Sequence, residues 1–445
     1  MVGDGADTDG TSPVATTEPE TSQPGAAREE VDGWRIRGSL DWIVTGPVLL
    51  ALATRLGYWL LITPDWLPNS DADQYLRLGR AIANGEGFSL VFPQLELHAT
   101  AFRPPLYPIL LALPSAVFGD DALWPVRLLS VVLSLGVVAL TVVYTRRIAG
   151  DLAAVVAGCA VAVMPSIIAN DTVSLTEPLG LLLLLAILIL LDQHRPVLVG
   201  LAAGALMLTR PNAYLVMLIA ALFLWRWMGW RKAALCLTCA IAMLVPWSVR
   251  NAIQVDTWRL TTSEGFNLAA IYAPPAQDRR TFVDPVFDTW YDDTDFRVQQ
   301  FDEAEWNAAL SDLAFETIKD NPGYVLDVVG NNLLSIFELS PENNKFAERI
   351  DGRNLDFRGA TLPVFYAFLL IGLLGLGTRI TDRRMWPALL MVAQFLFLSL
   401  LLVAPPRLRT PLDLALCIGV GLAVDSLYGI YRLRRSRPQR SSPGT

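Results

Sequence analysis

Asp71 and Asp73 stand one helical turn ahead of Tyr75 and Arg77 in "NSDADQYLRLGRAIANGEGFS", residues 69–89, directly after the chain's first long apolar run. A second acid, Glu177, opens a leucine-rich run in "NDTVSLTEPLG" (170–180), with Pro178 behind it as at a helix N-terminus. Five arginines sit beside prolines or at the ends of apolar runs: Arg103, Arg210, Arg250, Arg407 and Arg409. A guanidinium stays charged and offers a planar fork of donors that suits phosphate. The set therefore points to an anionic ligand held at a membrane face. The plainer alternatives are acids placed at helix N-termini for dipole reasons, and arginines that touch lipid headgroups or pair with Asp71 and Glu177. Tyr75, Tyr107 and Phe88 could face a sugar ring or a lipid chain, although such residues are more often an interfacial belt. Asn267, in "TSEGFN", offers an amide for sugar hydroxyls.

The elements that must carry these residues are membrane spans. The chain has 445 residues, 53% hydrophobic and only 18% charged, with a mean hydropathy of +0.40. That is too apolar for an ordinary soluble domain. A helix needs roughly 20 apolar residues to cross a bilayer. Ten runs qualify or come close: 40–62, 125–146, 152–170, 177–191, 197–210, 213–226, 233–249, 362–378, 386–404 and 411–431. The proline-interrupted run 104–119 reads as a helix at the membrane surface. Residues 321–339 read as another, and Tyr75, Leu78 and Ile82 give the helix after Ser70 a stripe that could lie on the bilayer.

Basic residues set the orientation. Arg35, Arg146, Arg147, Arg195, Arg226, Arg231, Lys232, Arg379, Arg383, Arg384 and the five arginines of "YRLRRSRPQRSSPGT" fall on one side, expected to be cytoplasmic with both termini. The organisation expected is a disordered cytoplasmic tail (1–39), a transmembrane module (40–249) with an external loop (63–124), an external region (250–361), C-terminal helices (362–431) and a basic cytoplasmic tail (432–445). The net charge of −8 is concentrated in the first tail and in residues 271–320, so nothing here reads as a nucleic-acid-binding surface.

The motifs in order, Asp71-x-x-x-Tyr75, "GEGF", "RPPLYPILLAL", "SLTEPLGLLLLL", "LTRPN", "PWSVRN", "TSEGFNL" and "PRLRTPLDL", resemble the GT-C superfamily. Within it the chain is most similar to the aminoarabinose-lipid A transferases and protein O-mannosyltransferases, from about Leu40 to Ile430. The resemblance implies an all-α polytopic membrane protein, a bundle of about ten transmembrane helices with short interfacial helices in its extracytoplasmic loops. It also implies a glycosyltransferase of cell-envelope biogenesis, in the plasma membrane (the inner membrane of a bacterium). The enzyme would move a hexose or pentose from a polyprenyl-phosphate donor to a lipid, polysaccharide or protein acceptor, with inversion. Asp71 matches the family's external-loop acid and general base, Glu177 its second acid, and Arg407 with Arg409 its basic stretch near the lipid phosphate. Relatives often carry Asp-Glu where this chain has Asp71-Ala72, which leaves Asp73 open as a substitute.

The rivals are a lipid-linked sugar flippase, which would place ionisable groups near the midplane of its spans, and a non-enzymatic scaffold, which would not need Asp71. The spans appear almost bare of charge in the sequence. Cofactor use is open. Asp71-x-Asp73 resembles a divalent-ion spacing without a glycine-rich phosphate loop, and "DPVFDTWYDDTD" (284–295) reads more as a solvated acidic loop than a calcium site. No metal ligand set is assigned. Cys236 and Cys239 read as packing residues rather than a redox or metal pair.

Overall fold

Apolar sequence in a bilayer must satisfy its backbone internally, and helices do so. The computed structural model describes residues 41–94, 96–340, 344–345 and 351–435. The N-terminal tail and residues 436–445 lie outside them. Asp41 caps the first helix, α1 (Trp42–Gly57), accepting from the Ile43 N–H at 3.2 Å, and a π-helical turn extends it to Ile62. After α2 (Ser70–Ala83) comes a short antiparallel hairpin, β1 (Ser89–Leu90) and β2 (His98–Ala99). Seven helices then follow in close succession: α3 (Leu106–Phe118), α4 (Trp124–Ala149), α5 (Asp151–Val163), α6 (Pro165–Asp171), α7 (Glu177–Asp192), α8 (Pro196–Met207) and α9 (Tyr214–Met228). The long α10 (Trp230–Gln254) leads into α11 (Glu264–Tyr272), α12 (Pro274–Arg279), α13 (Thr289–Asp292), α14 (Glu303–Asp320) and α15 (Tyr324–Ile336). The chain returns through α16 (Leu355–Thr378), α17 (Trp386–Leu401) and α18 (Thr410–Arg435).

Each of the ten apolar runs falls on helix, but ten full spans are not confirmed. Among the described residues six helices are long and apolar enough to cross a membrane, or seven if α5 and α6 count as one span bent by 62°. The bend falls at Met164-Pro165, where proline cannot supply the N–H that would continue α5. The protein is a multi-pass, mainly helical membrane protein. Its main core runs through α4, α5, α7, α8, α16 and α18.

One surface helix differs from expectation in what it faces. The helix after Ser70 is capped by Asn69, which accepts from the Ser70 N–H at 2.8 Å. Its Tyr75 and Leu78 are buried inside the protein rather than turned to lipid. Tyr75 meets Tyr107 of α3 edge to face at 5.5 Å, and Gly79 lets α2 close on Leu111. It is α3 that leaves Ile109, Leu113, Val117 and Phe118 exposed. The segment 321–339 does form a helix, α15, with Leu326, Leu333 and Leu334 exposed and Tyr324, Val328 and Ser335 buried.

Small residues let helices in an apolar medium approach closely. Cys236 and Cys239 sit where α8 closes on α10 at Gly200. The tightest approach joins α16 to α18. A Cβ added at Gly375 would stand 1.8 Å from the Gly419 carbonyl oxygen, whereas one at Gly377 meets nothing within 4 Å. Gly375→Ala should therefore lower the thermal midpoint of the protein in detergent, by an overpacking cost of roughly 1–3 kcal/mol. Gly377→Ala should leave it in place, and equal effects from the two would contradict this helix contact.

Candidate active site

Asp71 lies in the first turn of α2, at the end of the bundle opposite Arg146 and Arg147 of α4. One carboxylate oxygen accepts from Nη2 of Arg103 and the other from Nη2 of Arg407. Arg407 reaches on through Nη1 to Asp351 Oδ1 at 3.0 Å, and Arg103 donates through Nε to Gln74 at 2.7 Å. The result is an alternating row, Asp351–Arg407–Asp71–Arg103, drawn from four distant parts of the sequence. Burial acts to raise the Asp71 carboxyl, but the two guanidinium groups outweigh it and hold the group well below the usual carboxylate range.

The row lies along a cavity of about 770 Å³. Its lining also carries an apolar group, with Phe92, Phe102, Phe266, Phe282 and Phe287 packed ring against ring and Phe102 lying 5.1 Å from the Arg103 guanidinium. Polar groups enter from α15 through Asn331, Asn332 and Ser335. The space therefore offers contacts for both charge and hydrocarbon.

Local structure explains how Arg407 arrives. Asn332 donates from its amide nitrogen to the Leu400 and Leu402 carbonyls at 2.9 and 3.0 Å, and the Tyr272 hydroxyl donates to Leu401 O at 2.6 Å. These bonds satisfy the open carbonyls at the end of α17 and hold the irregular cavity-lining segment 402–405. A tight 3₁₀ turn, Pro406–Arg409, follows. Three residues per turn leave side chains two positions apart about 120° apart in projection. Arg407 faces the cavity, and Arg409 faces away from it.

The structure thus divides the residues expected to act together. Asp71, Asp73, Arg103, Arg407 and Asn267 line the cavity. Asp73 turns to Arg77 at 2.6 Å, and Asn267 donates to its own helix at Ser263 O. Arg409 is engaged elsewhere: it pairs with Glu338 at 3.0 Å and Asp413 at 3.1 Å, over the face of Phe365. Arg250 ties the hairpin to α10, donating to the Phe88 and Thr100 carbonyls and stacking on Trp247. Buried Glu177 pairs with the half-buried Arg210 at 3.3 Å, and neither lines the cavity. Tyr75 and Tyr107 lie under the charged row as packing, with Tyr107 bonded to Ser130 and Ser174 and the Arg103 guanidinium 5.5 Å above the Tyr75 ring.

Ionisable groups that sequence reasoning missed form a second buried layer. The span interiors are not bare of charge. Arg55, fully buried in α1, bonds Asp171 at 2.8 Å together with Ser134. Arg127 gathers the carbonyls of Thr63 and Thr172 and lies over Trp59 and Trp66. A single arginine on an apolar helix was the available signal, and it is a weak one. Among the described residues no group of three His, Cys, Asp or Glu side chains is placed to hold a metal ion. In the acidic loop, Asp288 pairs with Arg279, and Asp284 caps Val286.

Residues 102–249 match the sequence profile of a family described as dolichyl-phosphate-mannose-protein mannosyltransferase. The stretch is a third of the chain and holds Arg103, Glu177 and Arg210. Over that length it bears out the resemblance read from the motifs, and as a transferase family it does not favour the flippase. No curated protein matches. Among solved structures, the chain is similar to the oligosaccharyltransferase AglB from Archaeoglobus fulgidus, in complex with an inhibitory peptide and a dolichol-phosphate. The identity is 14% and the TM-score 0.48, over 90% of this chain and 52% of that one, so the chain spans about half of that protein's length. It is also similar to ArnT from Cupriavidus metallidurans bound to undecaprenyl phosphate, at 16% identity and TM-score 0.40, over 90% and 82%.

The buried Arg55–Asp171 pair has a testable signature. Arg55→Met strands a buried carboxylate and should cost roughly 3–5 kcal/mol, whereas Arg55→Met with Asp171→Leu should recover most of it. Unfolding of both variants in detergent measures this. A double variant no better than the single one would show that the two groups are not coupled.

Proposed function

We propose that the protein is a membrane glycosyltransferase that moves a sugar from a polyprenyl-phosphate donor to an acceptor hydroxyl at the cavity, on the extracytoplasmic face. One observation carries this reading: the Asp71 carboxylate is held by two guanidinium groups at the mixed charged and apolar cavity. The placement of Asp71 opposite Arg146 and Arg147, with basic residues marking the cytoplasmic side, supports the sidedness. Cytoplasmic termini follow from the same rule, and the inner membrane is proposed from the resemblance read in the motifs.

In the reaction, the acceptor hydroxyl gives its proton to Asp71 while its oxygen bonds the anomeric carbon from the side opposite the phosphate. The bond between anomeric carbon and phosphate oxygen breaks, its electron pair stays on the phosphate, and the configuration inverts. The phosphodiester thereby becomes a monoester with one more negative charge, and Asp71 becomes neutral. Arg103 and Arg407 are placed to exchange the first charge for the second. The Arg407 Nε–H, buried and without a hydrogen-bond partner among the described residues, is a further donor at this point. While both guanidinium groups hold Asp71 it is a weak base. A donor phosphate that draws them off raises its proton affinity.

Glu177, buried on Arg210 beneath α2, acts through packing and field rather than by touching the sugar. The acceptor is a hydroxyl of lipid, polysaccharide or protein. Divalent-ion dependence is read by running the assay below with and without chelator.

The test is transfer from a radiolabelled polyprenyl-phosphate sugar by the full chain in proteoliposomes. Asp71→Asn should lower turnover by about 10²–10⁴-fold while the protein still binds polyprenyl phosphate. Arg407→Leu should weaken that binding. Undiminished transfer by Asp71→Asn would remove the base from the mechanism.

A further inference from the structure

Arg103 is carried by a segment whose anchorage has a chemical requirement of its own. Residues 98–103 lead from β2 to α3, and their fixed point is the carboxylate of Glu303, the first residue of α14. That side chain is buried and takes the Thr100 hydroxyl at 2.6 Å, the Ala101 N–H at 2.8 Å, the Thr262 hydroxyl, and His98 Nε2 at 2.8 Å. The other ring nitrogen, Nδ1, lies 2.8 Å from the Glu96 carbonyl oxygen. A carbonyl oxygen only accepts, and so does a carboxylate already taking three other donors. Both ring nitrogens must therefore carry protons for both bonds to exist. A neutral ring would set a lone pair against one of the two oxygens.

We propose that His98 is a positioning residue that works as an imidazolium, clasping the 98–103 segment to α14 and so keeping Arg103 on Asp71. The part concerning donor binding rests on the glycosyltransferase reading above. The charged groups facing the ring are Glu303 from α14 and, behind that carboxylate, Arg250 from α10, which also holds the Thr100 carbonyl. Burial works against the charged ring, but the Glu303 and Glu96 hydrogen bonds prevail and raise its proton affinity above the ordinary value. The ring is partly open to solvent, so it can exchange protons with the medium on its side of the membrane. When the proton leaves, one of the two bonds is lost, the clasp loosens, and Arg103 is no longer held.

The chain has only two histidines, so ¹⁵N-histidine NMR of the full-length protein in detergent, with His194→Gln to leave a single ring, reads the proton directly. His98 should carry both ring protons beyond pH 6.5, its ordinary midpoint. Hydrogen exchange over residues 98–103 should be slow until that ring titrates and then rise in step with it. In His98→Gln the exchange should be fast and independent of pH. A singly protonated ring at pH 6, or exchange that is unchanged by the titration or by His98→Gln, would overturn the clasp. Undecaprenyl phosphate, the binding probe, should lose roughly tenfold in affinity across the same titration, and a flat affinity would overturn the link to Arg103. No binding at any pH would instead overturn the glycosyltransferase reading, with the ring and exchange measurements still deciding the clasp.

Discussion

The arrangement depends on keeping one carboxylate charged at the edge of an apolar bundle. An isolated ion there would neutralise, because removal from water costs it several kcal/mol. Asp71 escapes this by having a guanidinium on each oxygen. Each of those arginines is steadied by a further polar group, Gln74 for one and Asp351 for the other. Much of the neighbouring structure can be read as the means of bringing four separate chain segments to this row. Asn332 and Tyr272 secure the segment before Arg407, Glu303 secures the segment before Arg103, and Asn69 starts the helix that carries Asp71.

A second set of hydrogen-bonded charges inside the bundle does different work. Arg55 with Asp171, Arg127 with the Thr63 and Thr172 carbonyls, and Glu177 with Arg210 join helix ends that a purely apolar contact would leave free to slide. Hydrocarbon packing between lipid-soluble helices has little directional preference. Hydrogen-bonded charges fix which turn meets which, because breaking one pair strands its partner. Arg55 with Asp171 and Glu177 with Arg210 also neutralise each other, which separates these pairs from a transport pathway, in which charges line an open route at the midplane.

How much of this could be read in advance differs by interaction range. The apolar runs were legible because burial in lipid demands length and composition, both local properties, and every run lies on helix. Whether a helix spans was less legible, since α8 and α17 are short and α5 breaks at a proline. Residue type and order offered five arginines for Asp71, and only the fold selects Arg103 and Arg407 among them. The separation of Arg407 from Arg409 did not, because it turns on a single 3₁₀ turn. Asp351, Glu303, His98 and Arg55 stayed invisible for a plainer reason: each is an ordinary residue in its own segment, and its role exists only through a partner more than 50 positions away. The stripe on α2 was real but was assigned to lipid when its partner was α3, since periodicity marks a buried face without naming what buries it.

The resting site is a closed electrostatic circuit, and this constrains the order of events in the proposed reaction. With two guanidinium groups on it, Asp71 holds protons too weakly to draw one from a hydroxyl, so an acceptor arriving alone meets no effective base. A phosphate is the ligand best able to compete for those guanidinium groups, through the same paired hydrogen bonds that a carboxylate makes. Its arrival would free the carboxylate in a partly dry cavity, where an unpaired charge binds a proton more tightly. Base strength would then appear only in the complex that contains the electrophile. When the proton has moved and the anomeric bond has broken, the new charge rests on the phosphate, already in the grip that Asp71 had given up. The protein need supply no further cation at the transition state, because the one it requires was held in place by the base itself.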